Sequence, residues 1–137
     1  MKFIHAARVF VAAAVYAGVG LVHAQGVVKL GLIAEFSGPF AQYGQQIYGG
    51  MKTYMKLHGD TVAGKKIEVI QKDVGGPAPD VAKRLAQELV TRDKVDFLVG
   101  FGLTPNALAV APVATEAKVP MIIMNAATSI ITTKSPY

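Results

Sequence analysis

The sequence predicts an α/β fold, a parallel β-sheet with helices on both faces, and three observations support this class. Runs of β-branched and aliphatic residues alternate with runs of helical spacing in the order β-α-β-α-β-α-β, and strands joined by helical crossovers lie parallel. Segments 97–99 and 121–124 are apolar throughout, as is typical of strands buried on both sides. Apolar residues make up 52% of the 137 residues, which excludes a disordered chain and suggests one domain.

The first half of the chain predicts two strands separated by a helix. Val27 to Ala34 is a β-branched and aliphatic run and predicts the first strand. Glu35 to Tyr43 is rich in turn residues and predicts a loop. Gly44 to His58 has helical spacing, and the second strand is expected at Ile67 to Gln71.

The second half predicts two further helices and two further strands. Asp80 is expected to cap a helix, followed by a strand from Val95 to Val99. Another helix is expected from Thr104 to Ala117, with Thr104 as its N-cap and a kink or break at Pro112. Val119 to Met124 predicts the fourth strand.

Residues 1–24 predict a cleavable secretory signal peptide. Lys2 and Arg8 form a basic start, and an uncharged stretch from Val9 to Leu21 follows. Val22-His23-Ala24 then places small or branched residues where a signal peptidase cleaves, so we expect cleavage after Ala24. A membrane anchor is the alternative, but a span needs about 20 apolar residues and this stretch is shorter.

Charge and cysteine content exclude several classes of function. Removal of residues 1–24 lowers the formal net charge from +5 to +3, and the remaining basic residues are spread along the chain. A nucleic-acid partner is therefore not expected, since its site would need clustered basic residues. The absence of cysteine excludes disulfides, thiolate metal sites, thiol catalysis and a lipoprotein anchor.

The expected ligand site is the carboxyl edge of the sheet, where ligands of open parallel sheets bind. The loops at this edge are Glu35 to Tyr43, Asp73 to Pro79, Gly100 to Thr104 and Asn125 to Thr128. Small residues in these loops let backbone N–H groups approach a ligand closely. The helix that begins near Thr104 adds its positive end, which attracts a carboxylate.

Catalysis finds little support in the sequence. After cleavage His58 is the only histidine, at a helix end where packing or capping is its expected role. No metal-ligand cluster, GxGxxG motif or P-loop is present, and no cofactor is expected. The alternative is an exported flavodoxin-like or hydrolase-type α/β enzyme whose catalytic residues lie in a continuation beyond Tyr137.

Two side chains at the expected edge allow two interpretations each. Tyr43 is either a surface aromatic or a ring that covers an apolar or aromatic ligand. Glu35 either pairs with a lysine within a buried loop or contacts the ligand directly.

Several short motifs, in their order and spacing, resemble one family. They are Lys29-Leu30-Gly31-Leu32-Ile33, Ser37-Gly38-Pro39-Phe40-Ala41-Gln42-Tyr43-Gly44, Asp73, Ala111-Pro112-Val113-Ala114, Val119-Pro120 and Asn125-Ala126-Ala127-Thr128. With the signal peptide, they resemble type I periplasmic binding proteins of the leucine/isoleucine/valine-binding branch, which serve ABC importers. The resemblance implies a ligand held between two lobes, a periplasmic location, and an ABC permease as partner.

The resemblance also implies a set of site residues: Tyr43, Leu103, Thr104, Ala126, Ala127 and Thr128, with Glu35 as a further candidate. Thr104 and the backbone near Leu103 would hold the ligand carboxylate. The Ala126 carbonyl and the Thr128 hydroxyl would meet an amino group, and Tyr43 would form a wall of the side-chain pocket.

Three departures from the family pattern bear on ligand and domain organisation. The turn Leu103-Thr104-Pro105-Asn106 replaces a serine-rich turn, and its proline lacks an N–H donor. Glu35 stands where the family tends to have a small residue. Amides and aromatic carboxylates therefore stay open beside branched-chain amino acids. The chain also has only four of the expected strands, so residues 25–137 are expected to be the amino-terminal portion of the first lobe, without the second.

Overall fold

A computed structural model describes residues 26–135, so the predicted signal peptide lies outside the described residues. A 3-10 turn spans Gly38–Phe40, and a π-helical turn spans Leu89–Asp93. In chain order the elements are β1 (Val27–Ala34), α1 (Ala41–His58), β2 (Thr61–Val62), β3 (Lys65–Asp73), α2 (Pro79–Glu88), β4 (Phe97–Gly100), α3 (Thr104–Ala117), β5 (Met121–Ile123) and α4 (Ser129–Lys134).

The strands form one sheet in the order β2-β3-β1-β4-β5, which confirms the predicted fold class. The central strand β1 pairs in parallel with β3, from Val27 opposite Lys66 to Ala34 opposite Asp73. It also pairs in parallel with β4, which in turn pairs with β5. The short strand β2 is antiparallel to β3 and was not predicted, because two residues carry no readable pattern.

Helices cover both faces of the sheet and divide the core into two parts. On one face, α2 and α3 pack over buried side chains that include Leu85, Leu98 and Val110. On the other face, α1 covers a smaller cluster around Leu32 and Val99. All the strand pairings but one are parallel, so the loops after β1, β3, β4 and β5 meet at one edge.

The starts of the helices differ from the sequence prediction. Helix α1 begins at Ala41 and not at Gly44, so Tyr43 lies in its first turn and not in a loop. Helix α2 begins at Pro79, and Asp80 does not cap it. Helix α3 begins at Thr104, so Leu103 occupies the N-cap position and the capping prediction for Thr104 is wrong.

The predicted break of α3 at Pro112 is also wrong, because α3 continues to Ala117, whereas a kink there stays a prediction. Proline removes the N–H that would bond to the carbonyl of Leu108. Pro112 and Leu108 are both exposed, so water can reach the carbonyl that loses its donor.

The edge strand β5 is less buried than predicted. Ile122 is 48% exposed and Met124, just after the strand, is 42% exposed, so the expectation of burial on both sides is wrong here. Strand β4 does meet the expectation of burial on both sides, since Leu98 and Val99 are buried. A short helix, α4, follows β5 and was not predicted; the Thr128 hydroxyl accepts a hydrogen bond from the Ile130 N–H at its start.

Candidate ligand-binding site

The loops after β4 and β5 are hydrogen-bonded into one unit at the carboxyl edge of the sheet. The Asn125 side-chain amide donates to the Gly102 carbonyl at 2.7 Å. The Ala127 N–H donates to the Thr104 hydroxyl oxygen at 3.3 Å. The two loops that were expected to contribute most of the site residues therefore lie together. Thr104 uses its hydroxyl to hold the neighbouring loop and not to cap its own helix.

The turn between β4 and α3 has an unusual backbone. Phe101 has a φ of +65°, a conformation that bulky residues rarely adopt, and its side chain is fully buried. Its N–H donates to the Ile33 carbonyl at 2.8 Å, and its carbonyl accepts from the Ala126 N–H at 2.9 Å. Packing and these bonds hold the strained residue in place, and the turn directs the start of α3 toward the edge.

The first turn of α3 has backbone N–H groups that no side chain caps. No side chain caps the helix, and Pro105 in the first turn has no N–H to offer. Leu103 precedes the helix with extended backbone and is partly buried. The positive end of a 14-residue helix therefore lies beside the partly buried Thr104.

Tyr43 lies beside this helix end. A methyl group added to Gly102 would come within 3.1 Å of the Tyr43 Cβ, so the two backbones are close. Tyr43 is 37% exposed, and its ring stacks on that of Phe40, with ring centroids 6.1 Å apart and an angle of 13° between the planes. An exposed, stacked ring at this position can form the wall of a pocket, and that role stays a prediction.

Glu35 is fully buried, with 0% of its surface exposed. Its Oε1 atom accepts a hydrogen bond from the Asn106 side-chain amide at 2.9 Å. The predicted pairing with a lysine is wrong, because no basic residue within residues 26–135 forms an ion pair with Glu35. Direct contact with a ligand stays a prediction for this residue.

Asn106 is the residue at this edge that sequence reasoning missed. It is fully buried, and its amide group donates to both Glu35 and the Gly76 carbonyl while its oxygen accepts from the Ala78 N–H. One side chain thus joins the loops after β1 and β3 to α3. The sequence does contain a signal for its burial. Asn106 lies four residues before Val110, and this spacing places the two side chains on the same, buried face of the helix.

Asp73 organises the loop after β1. Its Oδ1 atom accepts from the N–H groups of Phe36 and Gly75, both at 2.8 Å. Partial burial raises the pKa of Asp73, but hydrogen bonds from the Ser37 hydroxyl and from these backbone groups outweigh it and hold the pKa below its ordinary value. The Asp73 carboxylate therefore uses its hydrogen bonds to hold the adjoining loop backbone.

The residues after β5 reach the same edge. Ala126 is partly buried, and Ala127 is exposed. The Thr128 hydroxyl accepts from the Ile130 N–H at 3.4 Å. Their roles toward a ligand amino group stay predictions.

His58 lies far from this edge. It is the last residue of α1, and its ring packs on Tyr54 with centroids 4.4 Å apart. With a rise of 1.5 Å per residue, it lies about 22 Å along the helix axis from Tyr43. No group of three potential metal ligands occurs in the described part of the chain. Likewise, none of the helices between residues 26 and 135 is long and apolar enough to cross a membrane.

A groove of about 610 Å³ runs from this edge along the sheet face beside α1. Tyr43, Gln46 and Asn125 lie at its polar end. The remaining lining is mostly aliphatic and methionine side chains, including Met51 and Met124. Most of the lining residues belong to α1, and Leu30 and Ile67 belong to the sheet, so the groove lies between the helix and the sheet face.

The largely parallel sheet with helices on both faces defines the class of open α/β domains, in which ligands usually bind at the carboxyl edge of the strands. Residues 27–137 match the sequence profile of the periplasmic binding protein family. The chain therefore belongs to this family. Membership favours the solute-binding interpretation over the enzyme alternative.

Individual relatives agree with this assignment. The Leu/Ile/Val-binding protein homolog 6 of Brucella abortus is 50% identical over 111 residues, which are 81% of this chain and 28% of that protein. A solute-binding protein of an ABC transporter from Rhodopseudomonas palustris BisB5, in complex with 3,4-dihydroxybenzoic acid, is 59% identical, with a TM-score of 0.78 over 81% of this chain and 30% of its own. The branched-chain amino acid transporter substrate binding protein LivJ of Streptococcus pneumoniae, in complex with isoleucine, is 30% identical, with a TM-score of 0.73 over 81% of this chain and 32% of its own. The chain thus spans less than a third of the length of these relatives.

Proposed function

We propose that this chain is part of a periplasmic solute-binding protein that delivers a carboxylate-containing solute to an ABC permease. The observation that carries the proposal is the uncapped end of α3, which lies beside Tyr43 where the loops after β4 and β5 are joined. Backbone N–H groups and the helix dipole at such an end favour a carboxylate. A binding role fits this geometry because the polar side chains at the edge hold loops together.

The proposed domain organisation is a cleaved signal peptide at residues 1–24 and the first part of a ligand-binding lobe at residues 25–137. The groove beside α1 supports it, since exposed apolar patches of this kind usually mark a surface that another segment covers. We assign that cover to further residues of the same polypeptide, because the relatives are more than three times as long as the matched region. Binding then proceeds by closure of two lobes on the ligand.

The ligand class proposed is an aromatic carboxylate. The Phe40 and Tyr43 rings stack at the rim, which provides a flat apolar surface for an aromatic ring. The hydroxyls of Thr104 and Thr128 already accept bonds from backbone N–H groups, and the Glu35 carboxylate is buried, so few free acceptors serve an ammonium group. The relative that binds 3,4-dihydroxybenzoic acid is also about twice as identical as the isoleucine-binding one.

Calorimetry on the full-length protein tests the function and the ligand class together. We expect 3,4-dihydroxybenzoate to bind more tightly than isoleucine and to raise the melting temperature by linkage. Tyr43→Ala should weaken binding, whereas Tyr54→Ala, which removes an exposed tyrosine further along α1, should not. Binding of neither compound would contradict the proposed function, and tighter binding of isoleucine would contradict only the ligand class.

A further inference from the structure

Glu35 is a buried carboxylate with fewer partners than such a group normally has. Its Oε1 atom has the single bond to Asn106, and its Oε2 atom has no hydrogen-bond partner among the described residues. None of the described lysines, arginines or histidines forms an ion pair with it. Burial of a charge without compensation is costly, so another part of the structure must stabilise this one.

The start of α3 is the feature that lies against this carboxylate. A methyl group added to Gly102 would overlap the Oε2 atom, so this oxygen lies directly on the backbone of the turn before the helix. The Oε1 atom meets Asn106, which is in the first turn of α3. The carboxylate is therefore held between residues on either side of the helix start. The positive end of the helix supplies the favourable potential that Glu35 lacks elsewhere.

We infer that Glu35 is a specificity-determining residue that sets how strongly the start of α3 prefers an anionic ligand over a neutral one. This inference rests on the proposed function, in which the ligand carboxylate binds at the open side of the same helix end. Two negative charges would then share one positive end, and they would repel each other through the protein interior. A neutral amide of the same shape would escape this repulsion.

Glu35→Gln is the variant that isolates the charge. Glutamine has nearly the same shape and keeps an oxygen that can accept from Asn106. The two probes are 3,4-dihydroxybenzoate and 3,4-dihydroxybenzamide, measured by calorimetry on the full-length protein. We expect Glu35→Gln to strengthen carboxylate binding roughly fivefold or more, the range that a buried charge at a helix end implies, and to leave amide binding within about twofold.

The ratio of the two affinities separates an electrostatic role from a structural one, since a displaced loop would change both affinities together. Glu35→Ala removes the same charge without relying on a new side-chain amide, and it must shift the ratio in the same direction. Asp73→Asn is the matched control, because its carboxylate is held by the Phe36 and Gly75 N–H groups. It should leave the ratio unchanged.

The outcomes that overturn the inference differ from those that overturn the proposed function. An unchanged ratio in both Glu35 variants, or a shift toward the amide, would show that Glu35 does not oppose the ligand charge. A wild-type protein that binds neither probe would refute the proposed function itself.

Discussion

Replacement of Asn106 by alanine should be among the most destabilising single changes at the carboxyl edge. The side chain is fully buried and makes three hydrogen bonds of 2.9 Å, to Glu35, to the Gly76 carbonyl and from the Ala78 N–H. The two neutral bonds each contribute about 1 kcal/mol and the bond to the carboxylate about 1.5–3 kcal/mol. Loss of all three leaves buried polar groups without partners, so we expect a cost of about 3–5 kcal/mol.

Urea denaturation of the full-length protein measures this cost, and Asn125→Ala is its matched control. The control variant also removes a side-chain amide. Asn125, however, is exposed and donates a single hydrogen bond, to the Gly102 carbonyl at 2.7 Å. Its replacement should cost about 1 kcal/mol. A loss for Asn106→Ala below about 1.5 kcal/mol, or equal to that of the control, would refute the reasoning that this amide joins the edge loops.

Three further changes test other parts of the structure. Gly44→Ala should destabilise the fold by about 1–3 kcal/mol, because the added methyl group overlaps the Glu35 carbonyl. Gly49→Ala is the control in the same helix; it has open space and should stabilise the fold by about 0.5–1 kcal/mol. Equal changes in melting temperature for the two variants would contradict the close approach of Gly44 to Glu35. The pKa of Asp73 is lowered in the folded state, so its contribution to stability is present above its ordinary value of 3.8 and is lost as the pH falls through the folded pKa. The melting-temperature difference between wild type and Asp73→Asn should therefore be constant at neutral pH and shrink in acid, and a constant difference down to the lowest pH would contradict this. Thr128→Val should destabilise the fold by about 1 kcal/mol, because it removes the hydroxyl that accepts from the Ile130 N–H at the start of α4, and unchanged stability in urea would show that this bond contributes nothing.

The regular elements were predictable where local patterns are strong. Strand β1 has the predicted bounds, Val27–Ala34, because its aliphatic run is bounded by a turn-rich segment. Helix α3 covers the predicted span to Ala117, although Thr104 does not cap it. The parallel sheet follows from the alternation of these elements, and alternation is a local property that a single sequence displays.

Elements that tertiary contacts stabilise were not predictable from local patterns. Strand β2 consists of two residues that are ordered by pairing with β3. Helix α4 has six residues, too few for independent stability, and depends on burial of Ile131 and on the Thr128 hydroxyl. Pro112 is tolerated because of its position on the exposed side of α3, which depends on how the helix packs.

The polar contacts at the site are the part furthest from sequence reasoning. Glu35 and Asn106 are 71 residues apart and meet only because β1 and β4 are neighbours in the sheet and α3 follows β4 directly. Residue type alone favours a surface position for each of them, because Glu and Asn are mostly exposed in proteins. Together they satisfy part of each other's hydrogen-bonding requirement, which permits burial of both. The glycine at position 102 is the third member of this arrangement, since any side chain there would occupy the space of the Glu35 carboxylate. A change at any one of the three positions therefore alters the environment of the other two, and their effects on stability should not be additive.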